Sequence, residues 1–131
     1  MAHVIQTEFT KGGTRTIFAR VKDQAGDPIT QAGTSSVEYS VYELDDLDDD
    51  AQSVVTGHDG ETIAVGDCIF DSYQTDDDRW TADSTGYNFR HTIDVSSYSA
   101  FPVRGKRYLV EFIITPTSGQ PVRLQAVGPA K

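Results

Sequence analysis

The chain has a single cysteine, Cys68, so no intramolecular disulfide can form and no cysteine cluster can hold zinc. That suits a reducing compartment. It also lacks any apolar run near the roughly 20 residues that cross a bilayer as a helix. The opening residues, Met-Ala-His-Val-Ile-Gln-Thr-Glu, have neither the basic nor the apolar segment of a secretory signal. A cytosolic protein with no membrane partner is expected, unless a signal has been removed. Cations are scarce too: 11 Lys and Arg stand against 20 Asp and Glu, a net charge of −9. Phosphate backbones are bound through basic patches that release counterions, so no nucleic acid is expected as a partner. No Gly-x-Ser-x-Gly elbow, His-Glu-x-x-His or glycine-rich phosphate loop occurs. A catalytic nucleophile needs a tuned partner, and nothing in the spacing supplies one, so an enzyme is not expected.

What the sequence does hold is a folding composition. Its 131 residues are 37% hydrophobic with six Tyr, six Phe and one Trp, enough for one domain that buries roughly two thirds of its unfolded surface. Strict alternation marks the strands. Ile17, Ala19 and Val21 alternate along Thr14 to Val21, and Val37, Tyr39 and Val41 along Val37 to Leu44. Tyr87, Phe89, His91, Ile93 and Val95 form a third such series, and Tyr108, Val110, Phe112 and Ile114 a fourth. Each is expected to turn one face to a core. Val122, Leu124 and Ala126 make a last strand after the turn Pro116 to Pro121. Ser53 to Thr56, Thr62 to Val65 and Cys68 to Phe70 are short β-prone pieces that form an irregular strand set or lead into a turn.

Several short strands with polar turns, and no helical period longer than one turn, predict an all-β protein. The expected fold is an immunoglobulin-like antiparallel β-sandwich of about seven to nine strands with an acidic, loop-rich insertion. Tyr108, three residues after Gly105, sits where such sandwiches place a Tyr that hydrogen-bonds back to the preceding corner. The stretch from Gly86 to Thr115 is then strand E, a corner and strand F. The expected boundaries are a tail or edge strand over 1–13, one sandwich over 14–127 and a tail over 128–131.

The acid is unevenly spread. Residues 44 to 83 carry 13 Asp and Glu against one Arg, leaving 7 acidic and 10 basic residues elsewhere. Calcium takes six to eight oxygen ligands, and Asp46, Asp48, Asp50, Asp76 and Asp78 are the carboxylates on offer. Asp45 to Asp50 has neither the Gly nor the Glu of an EF-hand loop, so a solvated acidic face is the preferred reading and no cofactor is expected. His91 reads as a satisfied strand histidine, and Cys68 as a buried structural thiol. Trp80 reads as a plug under a long loop or, with Tyr73 and Tyr87, as a stacking platform for a glycan.

The turn Asp23-Gln-Ala-Gly26-Asp-Pro28, the strand after it, Gly105-x-x-Tyr108-x-x-Glu111-Phe112 and the terminal strand Val122 to Ala126 come in a telling order. It resembles the immunoglobulin-like N-terminal domain of phage baseplate upper proteins and similar tail accessory modules, over residues 14 to 127. The resemblance implies a non-enzymatic structural module of a phage or prophage tail-like particle. It implies other virion proteins as partners, homo-oligomers, and a cytoplasmic stage before assembly. On that reading the acidic middle of one subunit faces Arg104, Lys106 and Arg107 of a neighbour. The alternative is a surface-exposed ligand-binding sandwich that takes a carbohydrate or binds in a Ca²⁺-dependent way.

Overall fold

The computed structural model describes residues 2–44 and 52–131, apart from the side chains of residues 2 and 3. Its strands are β1 (Ala2–Gln6), β2 (Thr16–Ala19), β3 (Thr34–Leu44), β4 (Gln52–Val54), β5 (Glu61–Ile63), β6 (Ile69–Gln74), β7 (Tyr87–Thr92), β8 (Arg107–Pro116) and β9 (Val122–Pro129). One helical turn, α1 (Val65–Cys68), leads into β6.

The strands form two sheets. One runs β1-β9-β8-β3-β4, with β5 also on β3; the other runs β2-β7-β6. This is an all-β sandwich in the immunoglobulin order, with β2, β7 and β6 as strands B, E and D facing β9, β8 and β3 as G, F and C. All pairs are antiparallel except β1 with β9, which is parallel. The acidic middle contributes strands to both sheets. Residues 128–131, expected as a tail, extend β9 and bridge Phe9 to Ala130.

Alternation places the core as expected on β3 and β8. Val37, Tyr39 and Val41 are buried beside Val110, Phe112 and Ile114, and Ile17, Ala19, Ile69 and Phe89 join them from the other sheet. Phe89 and Phe112 meet edge to face with centroids 4.9 Å apart, joining the two layers. Tyr108 does close the corner: the Val103 N–H donates to its Oη at 2.9 Å, and the hydroxyl faces the Val103 carbonyl at 3.4 Å. Phe101, stacked on Phe9 at 4.2 Å, plugs the same corner.

The series from Tyr87 departs from its expectation. Phe89 and His91 face Phe112, but Tyr87 packs edge-on against Phe18 and Phe70, outside the main core. The departure coincides with an irregularity in β6, whose register against β7 jumps from Ile69↔Phe89 to Gln74↔Tyr87. Asn88 beside it is buried and replaces a strand partner for Val21. It accepts from the Val21 N–H at 2.7 Å and donates to the Val21 carbonyl at 2.9 Å.

Candidate functional site

Three places carry chemistry-bearing side chains. The first is the outer face of the three-stranded sheet, over which residues 75–86 fold. Phe18, Phe70, Trp80 and Tyr87 make a second aromatic cluster there. Arg79 lies 5.4 Å from the Phe18 centroid, Arg90 lies 5.2 Å from that of Phe70, and Arg20 lies 5.8 Å from that of Tyr73. Carboxylates hold these cations in place: Asp77 is 2.8 Å from Arg79 and 3.4 Å from Arg90, and Asp83 is 2.8 Å from Arg20. The hydrogen bonds from Arg79 bring the Asp77 carboxyl down to about 2. Trp80 donates its Nε1–H to the Asp83 carbonyl at 2.9 Å, so it plugs the loop while staying half-buried. Tyr87 is buried and has no ring face to offer a sugar.

The acidic candidates do not converge. Asp76 accepts from the Tyr87 hydroxyl at 3.3 Å and Asp78 is exposed. Asp46, Asp48 and Asp50 lie outside the described residues. Among the described residues no three His, Cys, Asp or Glu side chains come together as metal ligands.

The second place surrounds His58, which sequence reasoning left as a residue beside a turn. It is buried, with Nδ1 2.8 Å from the Tyr39 hydroxyl and Nε2 2.8 Å from the Tyr98 carbonyl. Its neighbour Gly57 has φ +86°, and a Cβ there would stand 2.3 Å from Cγ of Tyr98. Tyr39 is kept protonated by burial and by the charges of Glu61 and Asp94. These residues line a cleft of about 270 Å³. His91 lies close by, 5.4 Å from the Tyr39 ring, and its Nε2 is buried without a partner among the described residues. That corrects the expectation of a satisfied histidine: the strand packs the ring between Tyr39 and Phe112, where no acceptor among the described residues reaches Nε2. Burial lowers its pKa. Cys68 is buried and its thiol is pushed up to about 12, chiefly by burial and further by Asp67, which leaves it inert as a nucleophile.

The third place is the outward face of the six-stranded sheet. Gln6, Val127, Leu109, Tyr42 and Val54 lie opposite one another in register, a mostly apolar row running from β1 to β4. Arg104, Lys106 and Arg107 stand at one end of this sheet, where Gly105 N–H donates to the Ala130 carbonyl and Ala130 N–H to that of Lys106. Arg107 is directly opposite Leu44 across the β3–β8 pair.

Fold and surface define an immunoglobulin-like β-sandwich. Beyond that class, no family model, no curated protein and no solved structure matches the chain.

Proposed function

We propose that this domain is a non-enzymatic assembly module that works by joining protein to protein. The observation that carries the reading is the apolar row on the outward sheet face, in which Leu109 is buried and Val127 and Tyr42 are half-buried, with Val4 and Val54 at the two sheet edges 51% and 44% exposed. Apolar side chains left exposed at both ends of such a row are candidates for contact with another protein. The titratable groups support the same reading. His58 spends both ring nitrogens on its own chain, and Cys68 is inert. The motifs from Asp23 to Ala126 favour a phage tail-like particle as the setting.

Analytical ultracentrifugation across a range of concentrations tests this proposal. Self-association that is lost in Tyr42→Asp, with folding retained, supports it; binding of neither itself nor a co-expressed neighbouring gene product discards it.

A second reading has one observation in its favour. A cleft of about 370 Å³ lies between residues 23–34 and 114–122, with Ile29, Ile114 and Val122 beneath a rim of Asp23, Thr117, Ser118 and Gln120. An apolar floor with a polar rim that holds one carboxylate suits a small polar ligand. Glycan-array binding by the intact domain would favour this reading.

A further inference from the structure

Soluble proteins guard the edges of their sheets with charge, proline, irregular register or very short strands. In the three-stranded sheet, β2 is four residues long and lies between Arg15 and Arg20, while β6 carries Asp71 and a broken register. In the six-stranded sheet, β4 and β5 are three residues each and lie end to end along β3. The remaining edge is β1. Its five residues, Ala-His-Val-Ile-Gln, hold no charge and no proline, and its register against β9 is regular throughout.

The two edges of this sheet complement each other. From Asp23 to Asp78 the chain has no Lys or Arg, and Glu43, Asp59 and Glu61 lie along or beside β4 and β5. β1 is followed instead by Lys11 and Arg15, and Lys131 is held near Glu8 at 3.7 Å. Each edge also carries an exposed valine on the outward face. Val4 lies opposite Gln125, which alternates with buried Leu124 and Ala126; Val54 lies opposite Tyr42, which follows buried Val41. Strand directions agree as well. β1 runs with β9, β9 against β8, β8 against β3 and β3 against β4, so β1 and β4 point in opposite senses. A second copy set beside the first in the same orientation therefore presents β1 to β4 as an antiparallel pair.

We infer that copies of this chain join head to tail, the β1 edge of one against the β4–β5 edge of the next. The inference rests on the assembly reading and names its partner and its edge. Across the sheet Glu61 is level with His3 and Val54 with Gln6, so Val4 of one copy lies between Glu61 and Val54 of the next, while Arg15, which donates to Thr7 Oγ1, lies towards the level of Glu43. A two-fold contact of β1 with β1 would instead pair the strand antiparallel with itself, each Val4 facing the same edge of the other copy. Contacts between two different surfaces close into rings or continue as filaments.

The test is sedimentation velocity on the full chain, at low salt and at about 1 M salt, where the screening length falls to about 3 Å. The expected result is a concentration-dependent series of species that shrinks at high salt. Because the Val4 side chain is half exposed, both Val4→Glu and Val4→Lys should melt like the parent. Val4→Glu sets a carboxylate against an acidic edge and is expected to weaken association by more than about tenfold, whereas Val4→Lys retains it. Loss of association in both variants would point to β1–β1 pairing and overturn the head-to-tail geometry. Association unchanged in both would overturn the edge assignment while leaving the assembly reading intact. A monomer at every concentration would overturn the inference, and binding of a different protein would then decide whether the assembly reading survives.

Discussion

The Tyr39 hydroxyl lies 2.8 Å from Nδ1 of His58, and Nε2 of the same ring lies 2.8 Å from the Tyr98 carbonyl. A carbonyl only accepts, so Nε2 carries the proton and Nδ1 accepts from Tyr39. His58 thereby ties β3 to the corner after β7. Tyr39→Phe removes the donor and leaves a buried acceptor unpaired, which is expected to cost about 1 to 3 kcal/mol. Urea unfolding followed by circular dichroism measures it. No change in midpoint would mean that water reaches Nδ1 and that the tie carries no weight.

Cys68 offers a readout that needs no substitution. Its thiol is buried and raised to about 12, so the thiolate that attacks alkylating agents is scarce in the folded state. Labelling by iodoacetamide at mildly alkaline pH should be slow in the native protein and should accelerate in step with urea unfolding. Native labelling as fast as that of a free thiol would show the site to be open.

Much of this architecture was legible before the structure. The alternation of β3 and β8 placed their core faces, and the spacing of Gly105 and Tyr108 marked the corner, because one buried face repeats at period two and one turn needs one acceptor. What stayed hidden depends on contacts between distant residues. Tyr87 shares its alternation with Phe89, yet it packs on Phe18 outside the main core, next to the register jump between β6 and β7. His58 gives no local sign of the two partners it meets 19 and 40 residues away. Arg107 likewise gives no local sign that it will lie opposite Leu44, 63 residues earlier in the chain.

Acid should destabilise the domain in two stages. His91 has its pKa lowered from 6.5 by burial, so below 6.5 the unfolded chain takes up a proton that the folded chain refuses, and stability falls. Asp77 is lowered from 3.8 to about 2 by its bonds with Arg79. Its contribution is complete above 3.8 and is lost as the pH falls towards 2. Melting temperatures measured from neutral to strongly acid solution should show both declines. His91→Gln should flatten the upper one and Asp77→Asn the lower. A melting temperature that stays level from neutral pH to well below 6.5 would mean that His91 takes up its proton inside the fold.

The parallel contact of β1 with β9 depends on a residue with no side chain. After β1 the chain continues beside β9, with Thr7 N–H donating to the Val127 carbonyl and Phe9 N–H to that of Pro129, both at 2.9 Å. Gly128 lies between those two acceptors. A Cβ on it would fall 1.6 Å from the Thr7 carbonyl oxygen and 2.6 Å from its carbon, and neither is a side chain that can swing aside. Gly128→Ala must therefore push residues 7–9 off β9 or distort β9 itself, and Phe9 would lose its stack on Phe101. Overpacking of this kind typically costs about 1 to 3 kcal/mol. The expected signature is local: amide hydrogen exchange should speed up over residues 2–9 and 127–130, while β3 and β8 stay protected. A variant as stable as the parent with unchanged exchange in β1 would show that the N-terminal strand does not need this close approach. Loss of protection throughout the sandwich would show that β1 is part of its cooperative core and not a separable edge.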